Sequence, residues 1–187
     1  MAEQNTGWQS LDEEDLPELQ RFIEANPEYW RIVMRREPPA HAAREIFEDR
    51  PPAQWPWKRT WVVALRDASG AMTAVAGVIE DLFAPGIWHV GLFITAGRLH
   101  GTGASGEAYA SLERWIRASG ARWVRLGVVI GNARAERFWE KMGFGEVKRR
   151  YDIEVEGRVC DLRVMAKPLE RGRLEDYFAS VERDRPG

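Results

Sequence analysis

Apolar positions early in the chain recur every three to four residues and then switch to runs and alternations. In "SLDEEDLPELQRFIEANPEYW" (10–30), Leu16, Leu19, Phe22 and Ile23 fall at helical spacing behind a serine cap and an acidic first turn. Pro27 opens a second short helix, and "AHAAREIFED" (40–49) continues helical until "RPPAQWPW" (50–57) breaks it into a loop carrying Trp55 and Trp57. Three strands follow, 60–67, 71–84 and 87–95, joined by turns at Asp67–Gly70 and Pro85-Gly86. Those connections are too short for parallel crossovers, so the three form an antiparallel meander. Ala104, Ala108, Leu112, Trp115 and Ile116 then mark one face of a helix ending at Gly120, and 122–130 reads as a strand. Asn132 caps a helix whose apolar face includes Ala135, Phe138, Trp139 and Met142; Gly143 ends it, and Phe144 makes the contact beyond the cap. Strands at 144–155 and 158–169 flank a turn at Glu156-Gly157, and 173–184 is a weakly amphipathic tail helix. The order predicts a mixed α/β fold with strands in both orientations.

Composition narrows the class. A length of 187 residues, 44% hydrophobic and 30% charged, suits one domain with a short appendage. Nine tryptophans demand large aromatic surfaces in the core or a pocket. A formal charge of −2 provides no field for nucleic acid, and the acidic start reads as a solvated helix face. A single cysteine, Cys160, excludes an intrachain disulfide. The first residues lack a basic and then apolar leader, and no apolar run reaches the ~18 residues of a membrane span, so a soluble cytoplasmic protein is expected. No metal-ligand set stands out.

The stretch "HGTGASG" (100–106) leaves a strand and opens a helix, which aims backbone N–H groups and a positive helix end at an anion. Its glycines form G-x-G-x-x-G, although a tight turn without ligand would also carry them. A dinucleotide site requires the motif after the first strand of a parallel unit, with an acid about 20 residues on, and neither condition is met. A P-loop is excluded because no G-x-x-x-x-G-K-[ST] exists.

"RLHGTG" instead fits R/Q-x-x-G-x-G/A through Arg98, Gly101 and Gly103, and "NARAERFWEKMGF" follows with Asn132, Ala135, Phe138-Trp139 and Gly143-Phe144. The pair resembles the GNAT superfamily of acyl-CoA N-acyltransferases over about Thr60 to Leu169. The resemblance implies an α/β fold of α+β type, a mixed, mostly antiparallel central sheet flanked by helices. It makes 1–168 one domain and 169–187 a helical tail. It implies direct transfer of an acetyl group from acetyl-CoA to a primary amine of a small molecule or peptide, with no covalent enzyme intermediate. Backbone groups of Phe93, Ile94 and Thr95 would meet the pantetheine, and the amides of His100, Gly101, Thr102, Gly103, Ala104 and Ser105, with Arg98, the pyrophosphate. Asn132, Phe138 and Trp139 would flank the coenzyme, although capping and core packing also account for them.

The catalytic groups are less defined. The position where some relatives carry a glutamate falls near Ile87, so His89 on the same strand face is the candidate base, with Glu80 and Asp81 as rivals. Trp139 stands where a proton-donating tyrosine is frequent, leaving Tyr109, Tyr151 or water. Trp55, Trp57 and Trp88 are candidate acceptor-pocket residues or core. Two alternatives stay open: a non-catalytic coenzyme A-binding module for sensing or assembly, and acetylation of charged tRNA through the cations Arg122, Arg125, Arg134, Arg137, Lys148, Arg149 and Arg150. Dimerisation is expected from the resemblance alone.

Overall fold

The computed structural model describes residues 7–155 and 158–186, so the turn expected at Glu156-Gly157 lies outside the described residues. The strands are β1 (Trp8–Ser10), β2 (Arg59–Arg66), β3 (Met72–Glu80), β4 (Ile87–Thr95), β5 (Trp123–Val129), β6 (Gly145–Val155) and β7 (Arg158–Pro168). They form one sheet in the order β1-β2-β3-β4-β5-β7-β6, antiparallel except where β4 meets β5. The helices are α1 (Leu16–Ala25), α2 (Ala42–Glu48), α3 (Ala104–Ala118), α4 (Ala133–Lys141) and α5 (Leu174–Ser180). The mixed, mostly antiparallel architecture is the one the resemblance implies.

Side-chain alternation along the strands feeds two separate layers. Val63, Ala76, Trp88, Val90 and Leu126 face α3 and α4, where Leu112, Ile116, Trp139 and Phe144 complete the core. Val62, Val75, Leu92 and Ile94 face the opposite way, under Leu19, Phe22 and Ile23 of α1 and Ala42 and Ala43 of α2. On that same opposite face, β5 to β7 are covered by the C-terminal segment through Tyr177 and Val181.

Three local expectations are corrected. Ser10 does not cap the first helix: it belongs to β1, paired with Val63, and the cap is Asp12, whose carboxylate accepts from the Glu14 amide at 2.9 Å while Asp15 accepts from the Asp12 amide at 3.0 Å. The short helix after Pro27 widens into a five-residue π-type turn, Trp30–Met34, ended by Arg35 at φ 53°. The strand expected to run to Ala84 stops at Glu80, because Asp81 (φ 55°) and Phe83 (φ 74°) turn left-handed and Asp81 accepts from the Gly86 amide at 2.7 Å.

Two irregularities in β4 shape the molecule's centre. It pairs with β5 only from Ile87–Val90 against Trp123–Leu126, and Leu92 to Thr95 then continue beside β3 alone. Gly91 is an extra residue there, since Gly77 pairs with Leu92 and Val78 with Val90.

Candidate functional site

Where β4 leaves β5, its outer edge lacks a ladder partner and borders a cavity of about 610 Å3. Phe93, Ile94 and Thr95 line it, as do His100, Gly101, Gly103 and Ser105 of the glycine loop. The loop is held from within: Thr95 Oγ1 and Ser105 Oγ share a hydrogen bond at 2.8 Å, and Thr102 Oγ1 donates to the Leu99 carbonyl at 2.7 Å. Gly101 (φ 80°) and Gly103 (φ 92°) take a left-handed backbone that disfavours side chains, and a Cβ at either would meet nothing within 4 Å. Among the described residues the amides of Gly101, Gly103 and Ser105 have no hydrogen-bond partner. Three free donors at the N-terminus of a 15-residue helix form an anion cradle.

The second wall is α4. Asn132 lines the cavity while its side chain caps the helix, accepting from the Ala135 amide at 3.2 Å, so it serves as cap and wall together. Phe138 stacks on Phe93 with centroids 6.0 Å apart and planes inclined by 17°, and Trp139 lies against both. Arg134, Arg137 and Lys141, spaced along one face of α4, also line the cavity and have no carboxylate partner among the described residues. Sequence reading passed over these three as wall residues, and over Tyr29, Ile32 and Val33 from the π-type turn opposite. Their spacing identifies a helix face but not what it confronts.

Three residues of the expected cofactor set do not line the cavity. Arg98 points away and pairs with Asp67 at 3.0 Å, whereas Thr102 and Ala104 turn inward to the loop, with the Ala104 amide donating to Thr102 Oγ1 at 3.3 Å.

None of the candidate catalytic side chains lines it either. Glu80 lies on the α3 side of the sheet, bound to Lys58 at 2.5 Å and to Trp61 Nε1 at 3.3 Å. Asp81 is used by its own turn. His89 sits on the opposite face, its Nδ1 3.2 Å from Arg125 Nη1; burial and the Arg125 charge push it down to about 3, against a partial opposing pull from Asp184. Tyr109 is sealed in the core against Trp139 and Phe144, and burial, with Glu113 nearby, drives its phenol far up; Tyr151 is exposed on β6. Trp88 is core, edge-on to Trp115 at 5.8 Å, and Trp55 packs at a tilt against Phe83 under the Arg183 guanidinium. Trp57 lines neither this cavity nor the smaller one on the opposite face.

The seven cations grouped in sequence are dispersed. Arg125 and Arg150 bind Asp184, Arg149 binds Glu146 at 2.9 Å, Arg122 donates to the Pro85 carbonyl and Lys148 to that of Arg185. Among the described residues no helix is long and apolar enough to cross a membrane, and no group of three or more His, Cys, Asp or Glu side chains could hold a metal ion.

Comparisons with known proteins agree with this architecture. No curated protein matches the chain. Solved structures do, at low identity. Spermidine N-acetyltransferase from Vibrio cholerae, in complex with CoA and spermine, matches with a TM-score of 0.65 and 16% identity, covering 86% of this chain and 94% of that one. The ribosomal-protein-S18-alanine N-acetyltransferase from Escherichia coli matches with a TM-score of 0.59 and 16% identity over 89% and 95%. The ribosomal-protein-alanine N-acetyltransferase from Brucella melitensis matches with a TM-score of 0.60 and 19% identity over 87% and 99%. At these identities the likeness shows the fold. The family model described as Acetyltransferase (GNAT) domain matches residues 9–145, which spans the glycine loop, the interrupted β4–β5 pair and α4. The chain belongs to the GNAT acetyltransferase family.

Proposed function

We propose that this enzyme transfers an acetyl group from acetyl-CoA directly to a primary amine. The observation that carries this is the set of free Gly101, Gly103 and Ser105 amides at the head of α3, opening onto the cavity beside β4's unpaired edge. Those donors fit a pyrophosphate, and the cavity walled by β4's free edge and α4 fits a narrow arm. Arg134, Arg137 and Lys141 add positive charge where phosphates would lie, a role that Arg98, paired with Asp67, does not fill here.

When bound, acetyl-CoA supplies an acetyl thioester open to attack by an amine. The protein's part is to bind and orient it: the free edge of β4 beyond Val90 offers backbone N–H groups to a developing oxyanion without needing a special side chain. Trp139 packs and cannot donate a useful proton, and Glu80, Asp81 and His89 are engaged elsewhere, so the ammonium proton leaves through water. The acceptor is an amine of a small molecule or peptide; the V. cholerae relative named for spermidine and the E. coli relative named for ribosomal protein S18 alanine span that range. The dispersal of the basic cluster argues against RNA as partner.

Calorimetry with acetyl-CoA, followed by turnover across alkylamines, polyamines, amino acids and peptides, tests the proposal. Binding with turnover of one amine class is the expected result. Binding with no turnover of any would favour the non-catalytic coenzyme A module.

A further inference from the structure

On the face of the sheet that carries α1 and α2 lies a second cavity of about 140 Å3, floored by Gly77 of β3 and Gly91 of β4. Gly91 is the bulge residue and the first in β4 beyond its pairing with β5. Gly91 and Leu92 line this smaller space, Phe93, Ile94 and Thr95 line the larger one, and Tyr29 lines both. Consecutive residues of β4 thus pass from one space to the other where the strand's free edge begins.

Among the described residues, the acids that line these two spaces are Glu28, Glu45 and Asp49. Glu45 is engaged by His41 at 3.0 Å and by Arg36 at 3.8 Å. Glu28 stands at the phosphate end of the larger space: a Cβ on Gly97, which follows β4 and leads into the glycine loop, would lie 3.3 Å from its Oε1. Asp49, at the end of α2, lines the smaller space and has no ion-pair partner among the described residues. The cation beside it is Arg50, whose guanidinium is turned to the carbonyls of Phe47 at 2.9 Å and Asp49 at 2.7 Å. Apart from Glu45 and Asp49 the lining is uncharged, with Tyr29 and Trp30 from the π-type turn, Thr60 and Trp61 from β2 and Ile79 from β3. Burial raises the Asp49 carboxyl above its ordinary value, against the opposing pull of Arg50. Asp49 is also exposed to solvent, so a proton it takes can be passed on.

We propose that the acceptor amine enters through the smaller cavity and that Asp49 receives the proton it gives up. The proposal rests on the acetyltransferase function above and assigns the end of its water path. A primary alkylamine is about 0.1% neutral or less at pH 7, so an enzyme that starts from the abundant ammonium form needs a nearby proton acceptor. The bound ammonium loses one proton, through water, to the Asp49 carboxylate. The freed amine forms its bond to the acetyl carbon, the carbon–sulfur bond breaks with its electron pair on sulfur, and the surplus proton on nitrogen goes to the thiolate. The products are the N-acetylamine and the coenzyme A thiol, and Asp49 returns its proton to solvent.

The test is kcat/KM against pH for the amine of highest turnover in the series above, in the wild type, Asp49→Asn and Asp49→Glu. With carboxylate and ammonium as the productive pair, the wild-type profile should be level from about pH 6 up to the amine's own pKa. Asp49→Asn can use only the free amine, so its kcat/KM should rise about tenfold per pH unit over that range. Its deficit should be at least about tenfold at pH 6.5 and shrink toward the amine's pKa. Asp49→Glu, which keeps a carboxylate, should restore the level profile. Acetyl-CoA affinity, read by calorimetry, should stay within about twofold of the wild type in both variants. Matching profiles in the wild type and Asp49→Asn, a deficit equal at every pH, or a larger fall in acetyl-CoA affinity would overturn the proposal and leave the acetyltransferase function standing. Turnover of no amine by the wild type would refute that function and the proposal with it.

Discussion

Gly103 concentrates the chemistry of the loop in one dihedral angle. At φ 92° it takes a left-handed turn at the head of α3, between the unpartnered amides of Gly101 and Ser105, and the space a side chain would take is open. Gly103→Val should cost about 1–2 kcal/mol through backbone strain, and its side chain would stand over the cradle. The expected result in calorimetry is acetyl-CoA affinity lowered about tenfold or more, with a cooperative unfolding transition retained. Gly70→Val is the control, because Gly70 has a similar φ of 86° and equally open space but belongs to the β2–β3 turn; it should lose stability without losing affinity. Arg98 and Arg137 offer a second comparison. Arg137 lines the cavity and Arg98 binds Asp67, so Arg137→Ala should weaken acetyl-CoA binding more than Arg98→Ala, in titrations at low ionic strength.

Among the elements, the C-terminal segment does more than its length suggests. Seven residues of α5 and the turn after it bring Tyr177 and Asp184 onto β5 and β6, where a fully buried carboxylate is met by Arg125, Arg150 and the tyrosine hydroxyl. Arg125→Ala would leave that carboxylate only Arg150 and Tyr177 as partners and should lower the urea-unfolding free energy by about 3 kcal/mol. Removal of residues 181–187 should act in the same direction by uncovering Ile87 and Trp123. The helix period made α5 legible in the sequence, but nothing local told that Arg125 and Asp184, 59 positions apart, would meet. β2, β3 and β4 were legible because alternation and turn residues are local signals, whereas β1 has three residues and no pattern to read. The same contrast divides the site. The cradle was legible because spacing and glycine conformation lie within one loop. The roles of Glu80 and His89 were not, since their partners Lys58 and Arg125 lie 22 and 36 positions away.

Across the whole molecule, β4 separates two cavities, with the cradle and α4 on one side and the glycine-floored space on the other. The buried network of His89, Arg125 and Asp184 also gives stability a pH dependence. His89 titrates near 3 in the folded chain against an ordinary value of 6.5, so the unfolded ring takes up a proton that the folded one refuses. Its contribution is complete above about pH 6.5 and declines by up to about 1.4 kcal/mol per unit as pH falls toward 3. Asp184, held below the ordinary carboxylate range by Arg125 despite its burial, adds stability that is lost at still lower pH. Thermal melts between about pH 7 and 4 should show this decline, and His89→Gln should flatten it. The central claim is that the glycine loop holds coenzyme A, and calorimetric titration of acetyl-CoA into the wild-type chain and Gly103→Val tests it most directly. One-to-one binding by the wild type, weakened at least about tenfold in the variant, is the predicted result. No binding by the wild type, or equal affinity in both, would contradict it.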